Sequence, residues 1–550
     1  MQTHPLLVIG LDGFELSLAE SMAAEGLLPH IKRVKERSGR FLLDHGLPKY
    51  SGLAWEHFSS GRSPDDGGRW SAITFDPDTY HLHQDATRHP PFLADLSART
   101  VIFDVPYCDL TRAPNVRGIT NWGAHDPGVD KRSRPDALHN EMEARFGPYP
   151  AQDYIYGVLW PSADKTRLAA EALVRAIEVR AEASRWVLAE RLPDWDLGIV
   201  VVSECHSSIE PMWHGIDPQH RLRELPSAAV AREGLRRIYI AIDNLVGRLV
   251  ETFPNASVML FAMHGMGTNQ ADVAAMALLP ELLHRHAFGK PHMQEVAWPA
   301  FTAGGTPLLT HIYWAHELTK AIPVLEPGSL MDSEPARKGL AGFVDFLRGR
   351  SGPKRIIVQQ SNIDWIAGSH YRRFWPRMPA FAIPAYYDGR VRINVADREA
   401  CGMVPARRYK AVRQEIMRLL RDCRSVPDGE PVVENFYFHD KDPHAIKPDE
   451  SDLYILWRSA PVGLMHPKLG QIGPLPLFRT GGHTGKSGFL YLRGTDIAPG
   501  ENGVTSSFDV VPTIVHLLGE SPLPQISGKS LLPRFLSPRH DHTARLAQRG

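Results

Sequence analysis

The sequence predicts an α/β fold, in which helices cover both faces of a central, mostly parallel sheet. Short continuous apolar runs, such as Leu6–Gly10 and Leu197–Val202, are typical of strands buried on both faces. They alternate with long helical patterns over Lys165–Arg191 and Ala228–Thr252, and this alternation indicates a layered α/β architecture. A length of 550 residues supplies a core large enough for such a fold with an insertion.

The remaining elements follow from local patterns along the chain. Alternation and an Asp-Gly turn predict a hairpin over Tyr386–Val395. The other expected strands are Thr100–Val105, Val258–Ala262, Asp452–Trp457 and Gly488–Arg493, and the other expected helices begin at Pro29, Ser51, Tyr409 and Val511. The pattern loosens over 291–382, which we interpret as an insertion or lid in a core formed by 1–290 and 383–535. Residues 536–550 are polar and are expected to form a flexible tail.

Composition and charge exclude several classes of protein. The 62 basic residues balance 62 acidic ones, whereas a nucleic-acid binder normally carries a basic excess, so we expect no nucleic-acid partner. No stretch approaches the roughly 20 apolar residues of a membrane span, and the start of the chain lacks the features of a secretory signal. The scattered cysteines are typical of reduced thiols. We therefore expect a cytoplasmic protein without a membrane partner, and the oligomeric state stays open.

Two polar residues near the N-terminus stand where α/β proteins bind ligands. Asp12 directly follows the first strand, at the sheet edge that carries ligands in open α/β folds; the alternative is a simple turn-forming carboxylate. Ser51 is expected to begin a short helix, where free N–H groups stabilise an anion or support a nucleophile. The alternative for Ser51 is an ordinary N-cap.

Histidines and a carboxylate later in the chain have the spacing of metal ligands. His206 and Glu210 are four residues apart, so a helical turn places both on one face, where they can chelate a divalent cation. His264 and His483 lie in Gly-rich segments, and each has the alternative of an ordinary hydrogen-bonded loop residue. His125 follows an expected strand and is a candidate substrate-binding residue, as are Tyr371 and Arg372 in the insertion.

Together and in this order, these motifs resemble the alkaline phosphatase superfamily, in its type I phosphodiesterase/nucleotide pyrophosphatase branch. The matching segments are Val8–Gly13, Glu25–His30, Ser51–Trp55 with Ser60–Pro64, Asn394–Gly402, and Phe508–Gly519 with Gly528–Leu531. The resemblance implies an alkaline phosphatase-like three-layer sandwich. It also implies a small-molecule phosphoester substrate and two divalent ions, with zinc or manganese as the metals expected first.

The resemblance assigns the metal ligands by position. Asp12, Ser51 and His264 match one cation site, and His206, Glu210 and His483 match the other, with imidazole and carboxylate exchanged between positions 206 and 210. At position 263 the superfamily has an aspartate and this chain has a methionine, whose thioether is a poor ligand for hard divalent ions. The possible replacement donors for the weakened site are Asp272, Asn269 and Glu204.

These assignments predict a metal-dependent phosphoester hydrolase, most simply a phosphodiesterase, with Ser51 as nucleophile and a covalent phospho-Ser51 intermediate. Two alternatives stay open. Met263 favours a protein of the same fold that has lost turnover and binds a ligand or at most one metal. A phosphotransferase would use the same residues and pass the phosphoryl group to another hydroxyl instead of water.

Overall fold

The computed structural model describes residues 4–46, 52–298, 305–309, 314–331, 356–494 and 496–536. The strands in these ranges are β1 (Leu6–Leu11), β2 (Gly39–Asp44), β3 (Ile73–Phe75), β4 (Leu82–Gln84), β5 (Thr100–Phe103), β6 (Val116–Thr120), β7 (Arg132–Arg134), β8 (Leu197–Val202), β9 (Ser257–Ala262), β10 (Gly267–Thr268), β11 (Ala380–Ile383), β12 (Gly389–Ile393), β13 (Arg424–Val426), β14 (Val433–Tyr437), β15 (Leu453–Trp457), β16 (Gly463–His466), β17 (Gly470–Ile472), β18 (Gly481–Gly482), β19 (Gly488–Arg493) and β20 (Gly500–Ser506). The α-helices are α1 (Leu16–Ala24), α2 (Pro29–Glu36), α3 (Ala54–Ser60), α4 (Pro64–Gly67), α5 (Leu138–Phe146), α6 (Ala163–Trp186), α7 (Glu204–Met212), α8 (Ser227–Thr252), α9 (Leu279–Phe288), α10 (Trp314–Ala321), α11 (Tyr409–Arg421), α12 (Val510–Leu517) and α13 (Leu532–Leu536).

A large sheet forms the centre of the molecule. Within the described ranges it has nine strands, in the order β20-β2-β19-β9-β1-β8-β5-β6-β7. β1 lies between β8 and β9 and is parallel to both, and β5 continues the parallel arrangement beside β8. β19 runs antiparallel to β9 and to β2. The predicted α/β class with a central, mostly parallel sheet is therefore confirmed.

The first strand shows why continuous apolar runs form this sheet. Successive side chains of a strand point to opposite faces. Leu7, Ile9 and Leu11 of β1 enter a core shared with α6 and α8, and Leu6 and Val8 enter the core on the other face, shared with α3 and α12. Each face therefore demands apolar residues, and the helical layers on both sides make the three-layer arrangement.

The described part of 291–382 packs against the chain that follows it. Trp314 and Trp375 share one core with Val391 and Ile455, which belong to the antiparallel sheet β11-β12-β15-β14. The expected boundary at 382/383 falls inside β11, whose pairing with β12 forms the predicted hairpin. The division into a core and an insertion stays a prediction, and Ser537–Gly550 of the expected tail lies outside the described residues. No helix among the described residues is long and apolar enough to cross a membrane.

A buried guanidinium beneath the sheet edge joins three segments. Arg180 of α6 donates from Nε to Oε1 of Glu204 at 2.9 Å and from Nη1 to Oδ2 of Asp104 at 2.9 Å. Its Nη2 also donates to the Gly123 carbonyl at 3.0 Å, and Asp104 accepts the backbone N–H groups of Trp122 and Gly123, each at 2.8 Å. All three charged side chains are fully buried. Arg180 therefore holds the start of α7 and the loop after β6 in fixed positions.

Replacing Arg180 with methionine leaves two buried carboxylates without their cation. We expect Arg180→Met to lower the free energy of unfolding by about 3–5 kcal/mol, measured by urea denaturation. Arg175→Met, on an exposed position of the same helix, is the matched control and should change it by less than about 0.5 kcal/mol. Equal effects of the two substitutions would contradict this role of Arg180.

Candidate metal and active site

The candidate site lies where parallel strands of the sheet end. Asp12 follows β1, His264 follows β9, and His125 lies in the loop after β6. His206 is on α7, directly after β8. His483 precedes β19, which runs antiparallel to β9, so the beginning of β19 lies at the same edge as the carboxyl end of β9 and of the strands parallel to β9. The topology therefore brings together polar residues that are far apart in the sequence, all of them at least nine-tenths buried except His483.

Asp12, His206 and His483 form a contiguous chain. The Nδ1 atom of His206 lies 3.0 Å from Oδ2 of Asp12, and its Nε2 atom lies 3.1 Å from Nε2 of His483. A carboxylate accepts and does not donate, so Nδ1 of His206 carries a proton and Nε2 points toward His483. A hydrogen bond from carboxylate to imidazole is the arrangement that orients histidine ligands in metal sites.

Glu210 and His125 complete the cluster. Glu210 lies one turn after His206 on α7, and its Oε1 is 3.6 Å from Nε2 of His206. The rings of His125 and His206 are stacked, with their centroids 3.8 Å apart, and Nε2 of His125 lies 4.0 Å from Oε2 of Glu210. One ligand atom from each of His125, His206 and Glu210 lies within 4.8 Å of the others. The helical spacing therefore places His206 and Glu210 on one face of α7, as predicted, and His125 lies beside them.

Arg479 is a part of the site that the sequence did not indicate. Its Nε and Nη2 atoms donate to the two oxygens of Asp272 at 2.7 and 2.8 Å, and its Nη1 forms an ion pair with Glu210. Arg479 stands four residues before His483, but its partners lie more than 200 residues away in the sequence. Nothing local to residue 479 predicts those partners.

The side of the site near Met263 offers few ligands. Met263 is buried among the apolar residues beneath α3, and His264 donates from Nδ1 to the carbonyl of Gly265 at 3.1 Å. Of the possible replacement donors, Glu204 is bonded to Arg180 and Tyr149. The other two are also engaged: Asp272 by Arg479, and Asn269 by Asp272 and the carbonyl of Gly481.

Ser51 itself lies outside the described residues, but its neighbour is at the site. A side chain at Gly52 would clash with the ring of Tyr387. That ring packs on His483, with centroids 3.8 Å apart. The expected short helix is present as α3, which begins at Ala54 and ends at Ser60, and Gly61 follows it with a φ of 71°. The chain therefore leaves Ser51 and immediately contacts the residue that covers His483.

Two cavities meet this cluster. A cavity of about 870 Å³ is lined by His264 and His483, and one of about 710 Å³ is lined by Gly52, His125, Glu210 and Arg479. Both volumes are in the range of small-molecule sites. The smaller cavity is largely aromatic, with walls from Tyr107, Tyr156, Trp314, Trp365, Tyr386, Tyr387 and Phe478.

Tyr371 and Arg372 do not belong to this site, and their predicted role in substrate binding is corrected. Tyr371 is fully buried and donates its hydroxyl to Glu281 at 2.6 Å. Arg372 is also buried, and its Nη2 donates to Asp364 at 2.6 Å. The Tyr371 hydroxyl and Nη2 of Arg372 are engaged by carboxylates, and neither residue lines the two cavities at the site.

Burial and neighbouring charges determine the ionisation of the cluster. Burial alone would lower the pKa of His206, but the carboxylates of Asp12 and Glu210 outweigh it and raise that pKa to about 10. Burial raises the pKa of Glu210, but Arg479 and the histidines bring it down to about 2. Burial, the neighbouring histidines and Arg479 lower the pKa of His483 well below its usual value. The cluster thus contains ionised carboxylates and a neutral imidazole, which are the forms that bind metals.

The donor set fits a divalent ion. Two nitrogens bound to a tetrahedral zinc at 2.0–2.1 Å lie about 3.3 Å apart, close to the 3.1 Å between His206 and His483. In the described part of the chain, no hydrogen-bond partner reaches Nδ1 of His483. His206 and Glu210 would hold the ion with an imidazole beside them, that of His125 or His483, and imidazole with carboxylate suits zinc or manganese.

Comparison with known proteins finds similarity among solved structures. The chain is similar to phosphonoacetate hydrolase from Sinorhizobium meliloti, solved with phosphonoacetate, at 14% identity and a TM-score of 0.47, over 94% of this chain and 95% of that one. It is also similar to a variant of alkaline phosphatase PafA, at 12% identity and a TM-score of 0.46, over 96% of this chain and 99% of that one. A third similar structure is human ectonucleotide pyrophosphatase/phosphodiesterase 5, at 10% identity and a TM-score of 0.44, over 96% of this chain and 98% of that one.

No protein-family model and no curated protein sequence matches the chain. At these identities and TM-scores the likenesses carry no conclusion about activity, which depends on the residues of the site.

The raised pKa of His206 predicts a pH dependence of stability for the metal-free protein. Protonated His206 stabilises the folded chain fully below its ordinary pKa of 6.5, and this contribution is lost as the pH rises through about 10. The free energy of unfolding of chelator-treated protein should therefore fall over this range, measured by urea denaturation. His206→Asn, which keeps a donor for Asp12, should show a smaller fall, and an identical fall in both proteins would contradict the assignment.

Proposed function

We propose that the chain is a metal-dependent phosphoester hydrolase, most simply a phosphodiesterase, with Ser51 as its nucleophile. The observation that carries the proposal is the convergence of His206, His483 and Glu210 beside the chain that follows Ser51. Metal ligands and a candidate nucleophile are needed within reach of the same phosphorus atom, and Gly52 against Tyr387 supports this proximity.

The proposed reaction has two displacements at phosphorus. Oγ of Ser51 forms a bond to phosphorus, the bond to the leaving oxygen breaks, and the Ser51 proton passes through the site to that oxygen. Water then attacks the phospho-Ser51 ester and restores the hydroxyl. A bound divalent ion supplies Lewis-acid stabilisation of the charge that develops on the phosphoryl oxygens.

The chain's own residues have distinct tasks in this scheme. Nδ1 of His264 is engaged with the Gly265 carbonyl, so its Nε2 is the atom free to accept a proton. Burial is the main cause of the lowered pKa of His264, and the ring is therefore neutral near pH 7. The aromatic cavity beside His125 would accommodate the organic group of the ester and exclude water from it.

Two other functions remain in competition with hydrolysis. Met263 supports a binding protein without turnover, because it removes a carboxylate from one of the two ion sites that the resemblance implies. A phosphotransferase would share the first displacement and differ only in the acceptor of the second. Product analysis with an added alcohol distinguishes transfer from hydrolysis.

Ser51→Ala tests the proposed nucleophile. Removing the attacking oxygen should lower the hydrolysis of an aryl phosphodiester by at least about 10³-fold, measured by phenolate release from zinc-loaded or manganese-loaded protein. Bound metal per chain should stay within the error of the wild-type value, so that the loss reflects the nucleophile. Ser162→Ala is the matched control, because Ser162 is exposed and its side chain makes no capping bond to α6.

Unchanged hydrolysis in Ser51→Ala would remove Ser51 from the reaction. Wild-type protein that binds metal and hydrolyses neither phosphodiester nor phosphomonoester would support the binding-protein alternative instead.

A further inference from the structure

We infer that the site holds one divalent metal per chain and that His125 is one of its ligands, together with His206, Glu210 and His483. The inference rests on the proposed function only in taking the cluster to be a metal site. It changes both the number of ions that the sequence resemblance implies and the role that the sequence suggests for His125.

The hydrogen bond of His125 leaves the correct nitrogen for a metal. Nδ1 of His125 lies 2.7 Å from the carbonyl of Ile155, which can only accept, so Nδ1 carries the proton. In the neutral tautomer with its proton on Nδ1, the lone pair is on Nε2, which lies 3.7 Å from Oδ2 of Asp126 and 4.0 Å from Oε2 of Glu210. Histidine ligands commonly donate their second nitrogen to a carbonyl or carboxylate in this way.

His206 has the same arrangement with a different acceptor. Its Nδ1 is bonded to Asp12 at 3.0 Å, and its Nε2 faces both His483 and Glu210. Nε2 of His206 lies 3.6 Å from Oε1 of Glu210, and Nε2 of His125 lies 4.0 Å from Oε2 of the same carboxylate. His125, His206 and Glu210 offer ligand atoms within 4.8 Å of one another, and His483 adds a fourth donor through Nε2, 3.1 Å from Nε2 of His206. Asp12 is left as the acceptor that orients His206.

A second ion lacks ligands in the described part of the chain. The site near Met263 retains only Asp12 and His264 there, and Oδ2 of Asp12 is already bonded to His206. Asp272 is bonded to Arg479 through both carboxylate oxygens, and Glu204 is bonded to Arg180 and Tyr149. Ser51 would add only a hydroxyl to these two donors, Asp12 and His264.

The guanidinium of Arg479 supplies the positive charge that a second ion would otherwise bring to this cavity. It is held by Asp272 and Glu210 and lines the aromatic cavity with His125 and Gly52. An arginine has five N–H donors, and these three contacts with carboxylate oxygens leave two of them for a phosphoryl oxygen.

Metal binding to chelator-stripped full-length protein tests the inference without any assay of turnover. Zinc-reconstituted and dialysed wild-type protein should contain close to one zinc per chain by elemental analysis. Titration with Co²⁺ should saturate at one equivalent and produce the visible absorption of a four-coordinate nitrogen and oxygen site.

His125→Asn is the decisive variant. The Asn amide replaces Nδ1 as donor to the Ile155 carbonyl, so the loop keeps its hydrogen bond while Nε2 is lost. We expect the Kd for Co²⁺ to rise by more than about 10-fold, since loss of a ligand should exceed the loss of an outer-shell partner, and the absorption band to shift. His316→Ala is the matched control, because His316 lines the same cavity, is largely exposed and lies outside the ligand set.

His264→Ala provides a test of the number of ions. It should leave the zinc content at one per chain if the site holds a single ion. A fall from two to one, a wild-type content of two, or an unchanged Co²⁺ spectrum and Kd in folded His125→Asn would overturn the inference. Turnover is measured separately on the same samples, so that one bound metal with no hydrolysis would sink the proposed function and leave this inference standing.

Discussion

The buried guanidinium of Arg180 is the interaction on which the rest of the site depends. The five N–H donors of this side chain bind Glu204 at the start of α7, Asp104 after β5, the carbonyl of Val201 in β8 and the backbone of the loop after β6. His206 and His125 are carried by α7 and by that loop. A single buried cation thus fixes the separation of two imidazoles whose rings stack at 3.8 Å. Both carboxylates are fully buried with it. Loss of its charge would therefore lower the free energy of unfolding and disturb the positions of the site residues.

Beside Arg180 and its partners, the site combines buried carboxylates with cationic side chains. Asp12 and Glu210 place a proton on His206 when no metal is bound, which is why the pKa of that ring is raised to about 10. A divalent ion replaces that proton, so metal binding and protonation compete for one nitrogen. Arg479 forms ion pairs with Glu210 and Asp272 and lowers the pKa of Glu210.

The sequence predicted the elements of the sheet and several site residues because these depend on local pattern. The apolar run of β1 reflects burial on two faces, and His206 with Glu210 reflects one helical turn. Arg479 could not be predicted, because its partners are set by the tertiary fold and not by spacing. Tyr371 and Arg372 were assigned wrongly, since an arginine beside an aromatic residue reads the same in the sequence whether it faces a ligand or, as here, pairs with Asp364 inside a core. Ser51 stays a prediction from its motif.

Crystals of zinc-loaded protein, measured with anomalous diffraction at the zinc absorption edge, test the central claim most directly. We expect one anomalous peak per chain, within bonding distance of the Nε2 atoms of His125, His206 and His483 and an oxygen of Glu210. A second peak of comparable height beside Asp12 and His264 would contradict it, as would a single peak from which His125 is turned away.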